Sequence, residues 1–361
     1  AVSSRIDLEP PRHTNHRQSN ERNPIMIQNA IQKLAQNHSL DQNEAKNVME
    51  EIMQGNCSPA LIASYLTALK MKKETIEEIV GSAQGMRSAA IQIHPKDEVF
   101  EIVGTGGDHS NTFNISTTAS FVIASAGIKV AKHGNRAASS KCGAADCLEA
   151  LGLNLNATPK QCLDSLETAN ICFLYAPNHH PAMKYAAPVR KELKIPTIFN
   201  ILGPLTNPAQ ATTQVMGVFS KDLVETMAHV LSQLGVKRGL VVYGLDGLDE
   251  ISMNDATYVC EIDQGQFHTY TIEPEQFGYE RQPKETLVGG NAQENAKITL
   301  DILQGKERGA KRQAVCLNAG AALYAANKAN SLLEGVRLAE RQLDSFAPYN
   351  TLQKMIEASY A

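Results

Sequence analysis

The 361-residue sequence contains no tryptophan, and aromatic residues make up only 5% of it. Proteins that bind single-stranded nucleic acid usually stack bases on aromatic side chains, so this composition disfavours that function. The formal net charge is −4, whereas general binders of nucleic acid or anionic membranes are usually basic. We therefore expect no nucleic-acid partner, and we expect any anion-binding site to be local.

The sequence also lacks long apolar runs and metal-binding cysteine patterns. No segment reaches the roughly 18 consecutive apolar residues of a membrane span, and no signal peptide is visible. The seven cysteines form neither a CxxC pair nor a zinc-binding spacing. These absences predict a soluble, cytoplasmic protein with reduced thiols and no membrane partner.

Hydrophobic patterning divides the chain into three parts. Residues 1–23 are polar and lack apolar periodicity, which predicts a flexible arm or an artificial leader. Residues 24–97 place apolar side chains at helical spacing in about four segments, which predicts a small helical domain. Residues 98–361 alternate short β-rich runs, such as "GLVVYG", with helical stretches. The predicted fold class is therefore α/β, with a small N-terminal helical domain and a larger domain around a mostly parallel sheet.

A glycine-rich turn, "GTGGD" at residues 104–108, joins the first predicted strand to a predicted helix start. It is not a P-loop, because no Gly-Lys-Ser/Thr follows, and it lacks the third glycine of a dinucleotide fingerprint. Backbone N–H groups at a helix start, with the hydroxyl and amide side chains of residues 112–117 nearby, favour a phosphate or pyrophosphate ligand. A tight turn that merely requires positive φ angles is the alternative.

Basic residues crowd the next strand-loop-helix unit of this acidic protein. They are Lys129, Lys132, Arg136 and Lys141. Lys132, His133 and Asn135 fall at the carboxyl end of a predicted strand, where open α/β sheets bind ligands. Ser139 and Ser140 add hydroxyl donors to the following loop. We predict a second group of phosphate ligands here, and a solvated basic loop is the alternative.

Two adjacent carboxylates, Asp249 and Glu250, follow the predicted strand at residues 239–243. Hard oxygen ligands beside a phosphate site favour Mg²⁺. An exposed acidic loop is the alternative interpretation. The nearby Asp246 is either a third oxygen ligand or a turn residue.

Arg190 is predicted to lie on an apolar helix face. On a helix that begins near Pro181, three- and four-residue spacing aligns Arg190 with Met183 and Ala187. A ligand carboxylate would match the planar guanidinium, and an internal ion pair is the alternative. His180 either lines the site or fills a turn.

Six segments, in this order, resemble the anthranilate phosphoribosyltransferase family of the tryptophan pathway. They are GTGGD (104–108), NIST (114–117), KHGNRAASS (132–140), VRKEL (189–193), FNILGPLTNP (199–208) and DGLDE (246–250). The resemblance extends from about Ile25 to the C-terminus. It implies the two-domain architecture shared by nucleoside phosphorylases and phosphoribosyltransferases, with residues 181–206 contributing to the helical domain. It also implies an active site in the hinge and a homodimer formed through the helical domain.

The resemblance implies a reaction as well. The phosphoribosyl group of 5-phosphoribosyl 1-diphosphate is transferred to the amine of anthranilate, giving N-(5-phosphoribosyl)anthranilate and pyrophosphate. This is the second step of tryptophan biosynthesis from chorismate, and it uses two Mg²⁺ ions per monomer. The family pattern assigns no residue of this chain as a catalytic acid or base.

Site residues follow from the same resemblance. The donor would contact Gly104, Gly107, Asp108, Thr112, Asn114, Ile115, Ser116, Thr117, Lys132, His133, Gly134, Asn135, Arg136, Ala137, Ala138, Ser139, Ser140 and Ala144. Ser116 and Glu250 would hold one Mg²⁺, and Asp249 and Glu250 the other. Gly104, Asn135 and Arg190 would contact anthranilate.

The chain departs from the family pattern at several positions. Cys142-Gly143-Ala144 replaces the common Ser-Gly-Ser, which removes one hydroxyl expected to contact the donor. Residues 289–292 and 72–75 also differ from the usual GGDA and KGET. Two other functions compete with the family activity. A pyrimidine-nucleoside phosphorylase would carry a serine-rich phosphate loop in place of KHGNR, and a silent paralogue that binds nucleic acid would have lost the acidic pair.

Overall fold

The computed structural model describes residues 26–361, so the arm predicted for residues 1–23 lies outside the described residues. The chain then forms a bundle of four helices: α1 (Met26–Ala35), α2 (Gln42–Met53), α3 (Pro59–Lys72) and α4 (Ile76–Ala89). Asp41, Ser58 and Thr75 cap the last three helices, each accepting a backbone N–H of the first turn. Short polar side chains at these positions satisfy N–H groups that the helix leaves unpaired, so local sequence sets where the helices begin.

A seven-stranded sheet forms the centre of the larger part of the protein. Its strands are β1 (Phe100–Gly104), β2 (Val130–Gly134), β3 (Ile171–Tyr175), β4 (Thr213–Gly217), β5 (Arg238–Gly244), β6 (Thr257–Asp263) and β7 (Gln266–Ile272). The spatial order is β3-β2-β1-β4-β5-β6-β7. The first five strands pair in parallel, and β6 and β7 add an antiparallel hairpin. The predicted α/β class with a mostly parallel sheet is confirmed.

Helices cover both faces of this sheet. They are α5 (Ile115–Ser125), α6 (Ala144–Ala150), α7 (Pro159–Ala169), α8 (Ala176–His179), α9 (Ala187–Leu193), α10 (Phe199–Leu202), α11 (Leu223–Gln233), α12 (Ala292–Leu303), α13 (Ala310–Ala325), α14 (Leu332–Asp344) and α15 (Ala347–Tyr360). Successive strand residues point to opposite faces. Val215 therefore packs in the cluster that contains α5 and α13, whereas Met216 packs in the cluster that contains α11 and the helical bundle.

The segment between β3 and β4 returns to the helical bundle. Ala186, Val189, Phe199 and Leu202 belong to the same buried cluster as the apolar faces of α1 to α4. The chain therefore crosses from the sheet to the bundle and back, which places this segment beside the carboxyl ends of the strands. The domain boundaries proposed from the sequence remain a prediction.

The helix predicted to begin near Pro181 is interrupted. Residues Pro181–Tyr185 form a 3₁₀ turn, and α9 begins only at Ala187. Pro188 explains the break, because proline lacks an N–H group and its ring opposes a helical turn immediately before it. The prediction of one continuous helix was therefore wrong.

Two of the predicted absences can be compared with the structure. Among residues 26–361, every helix is too short or too polar to cross a membrane. The seven cysteines are all free thiols, and six of them are buried, with Cys57 partly exposed. Their burial fits the small hydrophobic side chains that reduced cysteines resemble.

Candidate active site

A cavity of about 900 Å³ opens where the sheet meets the returning segment. Its floor is formed by the carboxyl ends of β1 and β2 and by the loop after β5, and its opposite wall by residues 176–206. Parallel α/β sheets bind ligands outside the carboxyl ends of their strands, so this is where a site is expected. Every site residue that the family resemblance implies lines this cavity, with the exception of Ile115. The Ile115 side chain is 1% exposed and packs in the core, which leaves only its backbone for a ligand.

The glycine-rich turn is both a tight turn that requires positive φ angles and a part of the ligand cavity. Gly106 and Gly107 have φ angles of +72° and +74°, so the turn does require glycine. The same turn lines the cavity, however, and the Gly106 N–H donates to Asp249 Oδ2 over 2.8 Å. Thr112 forms a β-bridge with Val288, which ties the end of the loop to the segment that precedes α12. The turn therefore joins the acidic pair to the helix start that follows it.

The start of α5 is held from three directions. Glu250 Oε1 accepts the Ser116 N–H over 3.2 Å. The Asn114 side chain donates to the Cys142 carbonyl oxygen over 3.2 Å and accepts a bond from Asn295 over 3.0 Å. The Asn114 side chain therefore connects the start of α5 to the β2–α6 loop and to α12.

Lys132 is the basic residue that the fold buries in the cavity, at 2% exposure. Its Nζ donates to the Ile102 carbonyl oxygen over 2.7 Å and lies 3.4 Å from Ser116 Oγ. Burial lowers the pKa of Lys132, and the nearby carboxylates Glu101, Glu250 and Asp249 oppose that shift. A buried ammonium group beside the acidic pair is well placed to meet an anionic ligand.

The other basic residues of this unit have different surroundings. Lys129 lies outside the cavity and pairs with Asp97 and Glu167. Arg136 is held by Tyr175 and by two carboxylates of α6. The alternative of a solvated basic loop therefore fits the exposed Lys141, but not the buried Lys132.

The acidic pair faces the cavity from the loop after β5. Burial, reinforced by the neighbouring Asp108, raises the pKa of Asp249 to about 8. Burial and the charges of Asp249 and Asp108 hold the pKa of Glu250 well above its ordinary value. Glu250 Oε2 is buried and has no hydrogen-bond partner among the described residues. A bound cation would stabilise these neighbouring buried carboxylates and would pair with the free Glu250 oxygen. Carboxylate oxygens are ligands that Mg²⁺ prefers, so the site fits this ion.

Among residues 26–361, no group of three or more His, Cys, Asp or Glu side chains is arranged to hold a metal ion by itself. That finding agrees with the usual chemistry of Mg²⁺, which binds through one or two carboxylates together with substrate phosphates and water. Asp246 does not line the cavity, and its Oδ2 accepts a bond from Ser252 over 3.1 Å. The interpretation of Asp246 as a turn residue is therefore preferred.

Arg190 reaches the cavity from α9 despite the interrupted helix, and Met183 and Ala187 line the cavity with it. Its guanidinium carbon lies 5.3 Å from the centre of the Phe199 ring. Burial alone lowers the pKa of Arg190, with no contribution from a carboxylate in the described part of the chain. The internal ion pair considered from the sequence is thus not formed among residues 26–361, and the guanidinium is available to a ligand.

Two histidines, His133 and His180, lie side by side in the cavity, with ring centres 5.1 Å apart. His180 Nε2 lies 3.1 Å from the Thr206 carbonyl oxygen, to which it donates. Burial lowers the pKa of His180 to about 4 and that of His133 well below its ordinary value. Both imidazoles are therefore neutral at pH 7, and His133 Nε2 has no partner in the described part of the chain.

Sequence reasoning missed two polar residues that organise this cavity. Asn295 binds Asn114 and accepts the Gly290 N–H over 2.7 Å. Glu101 is fully buried within β1 and accepts bonds from the His133 N–H and the Asn207 side chain. A charged residue inside the apolar run "VFEIV" was a signal for Glu101. Asn295 offered no comparable signal.

Comparison with known proteins places the chain in a family. Residues 96–347 match the model described as "Glycosyl transferase family, a/b domain", and residues 28–90 match the "Glycosyl transferase family, helical bundle domain". The anthranilate phosphoribosyltransferase of Methanobrevibacter smithii is 57% identical over 332 residues, which cover 92% of this chain and 99% of that protein. The chain belongs to the anthranilate phosphoribosyltransferase family.

Solved structures of the anthranilate phosphoribosyltransferase family agree with this placement. The enzyme from Thermus thermophilus superposes with a TM-score of 0.88 at 44% identity, covering 92% of this chain and 99% of that one. The Saccharomyces cerevisiae enzyme in complex with PRPP and Mg gives a TM-score of 0.85 at 27% identity, covering 93% and 98%. The two-domain family fold is therefore present in this chain.

Proposed function

We propose that this protein transfers the phosphoribosyl group of 5-phosphoribosyl 1-diphosphate to the amine of anthranilate, with release of pyrophosphate. The observation that carries the proposal is a single cavity with two chemically different ends. One end combines buried Lys132 with the acidic pair, and the other presents the unpaired guanidinium of Arg190 beside apolar side chains. Relatives bound to PRPP and Mg, and to 4-fluoroanthranilate, support the same pair of substrates.

The donor occupies the polar end of the cavity in this proposal. Its diphosphate lies against the glycine-rich turn and the start of α5, where backbone N–H groups and the helix dipole favour an anion. Its remaining phosphate faces the β2–α6 loop, where Ser139 and Ser140 line the cavity. Ala144 also lines the cavity, so the missing hydroxyl lies on this same wall.

Magnesium belongs to the same end, and we propose two ions per monomer. Ser116, Asp249 and Glu250 would hold them together with the donor diphosphate. A bound Mg²⁺ neutralises charge that develops on the leaving pyrophosphate. The unpartnered Glu250 Oε2 and the raised pKa values of both carboxylates support this assignment, because the charge of Lys132 does not offset their burial and the repulsion from neighbouring carboxylates.

Anthranilate occupies the apolar end. Arg190 would bind its carboxylate through a bidentate pair, since a planar guanidinium matches a planar carboxylate. Gly104 and Asn135 also line the cavity and would contact the acceptor near its amine. The aromatic ring would then lie against Met183 and Phe199, which line the same wall.

The chemistry requires charge stabilisation more than proton transfer. Breaking the bond between the ribose and the diphosphate places positive charge on the sugar and negative charge on pyrophosphate. Lys132 and the backbone N–H groups of the glycine-rich turn would stabilise the departing anion. The neutral aromatic amine needs mainly to be held in line with the breaking bond. His133 and His180 are neutral and buried, so we assign neither as a general base.

We also propose that two chains associate through the helical bundle. Met71 on α3 is 78% exposed and Met26 on α1 is 38% exposed, and a second chain packed on the bundle would cover these apolar side chains. Light scattering after size exclusion would give the mass of a dimer. A monomer at micromolar concentration would refute this part of the proposal.

The fluorescence of anthranilate provides the test of the reaction. Purified protein, donor and magnesium should consume anthranilate, and omitting the donor or magnesium should stop consumption. A parallel assay with a pyrimidine nucleoside and inorganic phosphate addresses the phosphorylase alternative. Phosphorolysis without consumption of anthranilate would refute the proposed function in favour of that alternative.

A further inference from the structure

The β2–α6 loop (residues 135–143) leaves and re-enters the fold through a narrow neck. We define the neck as the contacts between Ala137, Gly143 and Asp146. Asp146 Oδ2 accepts the Ala137 N–H and the Gly143 N–H, each over 2.9 Å. One carboxylate oxygen thereby joins the two ends of the loop.

The two sides of the neck are in direct backbone contact. A Cβ atom on Gly143 would lie 2.5 Å from the Ala137 nitrogen and 2.7 Å from the Asn135 carbonyl oxygen. The Ala145 N–H also donates to that Asn135 oxygen over 3.2 Å. Such spacing excludes any side chain at position 143, and it brings the loop ends close enough for one carboxylate to bind both.

The middle of the loop has little else to hold it. Residues 138–141 are exposed, and Ser139 and Ser140 project no side chain into the hydrophobic core. An exposed segment of small residues is mobile unless its ends are fixed. Asp146 itself lies outside the cavity, so it has no direct contact with a ligand there.

Asp146 is favoured in its ionised form, which accepts the two N–H groups of the neck. Burial opposes its ionisation, but the bonds from the Ala137 and Gly143 N–H groups and from Arg136 prevail and lower the pKa of Asp146. Arg136 Nη1 lies 3.2 Å from Asp146 Oδ1, and the same guanidinium also pairs with Glu149 over 2.9 Å. The ion pair and the neck thus use different oxygens of one carboxylate.

We propose that Asp146 is a positioning residue for the phosphoribosyl donor, because it fixes the ends of the loop that carries Ser139 and Ser140. This inference rests on the proposed function, since it takes the donor as the ligand of the loop. A loop already held in its binding conformation loses less entropy when the ligand binds. Removing the neck should therefore weaken donor binding while leaving the anthranilate end of the cavity unchanged.

Three variants separate the neck from the ion pair. Asp146→Ala removes both, and it should raise the donor KM at least about tenfold while the anthranilate KM changes by less than about twofold. Asp146→Asn keeps an amide oxygen for the two N–H groups and loses only the charge, so it should restore most of the donor affinity. Glu149→Gln, which weakens the Arg136 pair without touching the neck, should behave like the wild type.

A second measurement reports on the loop without reference to turnover. Lys141 is exposed within the loop, so the rate of trypsin cleavage after it measures loop opening. Asp146→Ala should be cleaved several-fold faster than Asp146→Asn, and both should retain the wild-type melting temperature within a few degrees.

An unchanged donor KM in Asp146→Ala would overturn the inference. Equal increases in both KM values with a large fall in melting temperature would also overturn it, because they indicate a general structural role. An inactive wild-type protein would instead refute the proposed function. That result is distinguishable from an active wild type whose donor KM is insensitive to Asp146.

Discussion

Gly217, the last residue of β4, lies against the backbone of Asp249 so closely that a Cβ atom would be 1.5 Å from the Asp249 carbonyl oxygen. Gly104, its partner in the register between β1 and β4, is also restricted, since its Cβ would lie 2.2 Å from Asp249 Oδ2. Two paired strand ends therefore leave room for the loop that carries the acidic pair. The position of Asp249 and Glu250, the proposed metal ligands, therefore depends on glycine at both position 104 and position 217.

Gly217→Ala should displace the Asp249 backbone and lower kcat at least about hundredfold, because a shift of about 1 Å in reacting groups has an effect of that size. Gly309→Ala is the matched control. Its Cβ would meet only the flexible Glu307 side chain, at 3.0 Å, and Gly309 lies outside the cavity. Steady-state kinetics and thermal unfolding of both variants check the prediction. Normal activity of Gly217→Ala would show that the observed packing does not fix the acidic pair.

The double variant Asp249→Asn with Glu250→Gln should lose at least about a hundredfold in kcat at saturating magnesium. Its melting temperature without magnesium should be unchanged or higher, because the substitution removes repulsion between buried carboxylates. Asp246→Asn serves as the control, since Asp246 lies outside the cavity. Chelation of magnesium from the wild type should reproduce the kinetic loss. Near-normal turnover of the double variant would refute the metal assignment.

Arg190→Ala should raise the anthranilate KM at least about tenfold and leave the donor KM nearly unchanged. The reason is that its guanidinium has no carboxylate partner in the described part of the chain and faces the apolar end of the cavity. Lys191→Ala, on the adjacent exposed residue, provides the control. If both KM values rise equally and the melting temperature falls, Arg190 stabilises the fold and does not bind the acceptor.

The contribution of His180 to stability should decrease as pH falls through the weakly acidic range. Burial holds the pKa of His180 at about 4, below its ordinary value of 6.5, and shifts the pKa of His133 in the same direction. Between these two pH values His180 binds a proton in the unfolded chain but not in the folded chain, so its contribution to the free energy of unfolding falls as pH drops from about 6.5 towards 4. The raised pKa values of Asp249 and Glu250 contribute with the opposite sign, so the His180 contribution is measured by comparison with a His180 variant. The contribution of His180 is at most about 3 kcal/mol.

Urea unfolding at about pH 7.5 and about pH 5, on either side of the ordinary histidine pKa, tests this dependence. Going from the higher to the lower pH, the free energy of unfolding should change more favourably in His180→Gln than in the wild type, because the variant lacks the His180 contribution. His229, whose side chain is partly exposed on α11, gives a control when it is replaced by Gln. An identical pH dependence in His180→Gln and wild type would show that His180 is protonated normally in the folded state.

Local chemistry in the sequence was sufficient to predict several features of the fold. Apolar periodicity and short β-rich runs are local features, so they predicted the four N-terminal helices and the mostly parallel sheet. The position of Lys132 near the end of a strand likewise predicted where a ligand could bind, because strand ends meet at one edge of a sheet.

Contacts between distant segments could not be predicted in the same way. The pairing of Gly104 with Gly217, the bond between Asn114 and Asn295, and the surroundings of Arg190 depend on how separate elements pack. Spacing alone also suggested one helix across Pro188, where the proline ring prevents it. Periodicity describes which faces are apolar, and it does not report which distant residue completes a site.

The central claim is that the donor reacts with anthranilate in this cavity, and pyrophosphate release tests it most directly. Purified protein with donor and magnesium is assayed with and without anthranilate, and pyrophosphate and remaining anthranilate are measured in the same sample. We expect release that requires anthranilate and equals the anthranilate consumed, mole for mole. Release at the same rate without anthranilate, or no release with both substrates present, would contradict the claim.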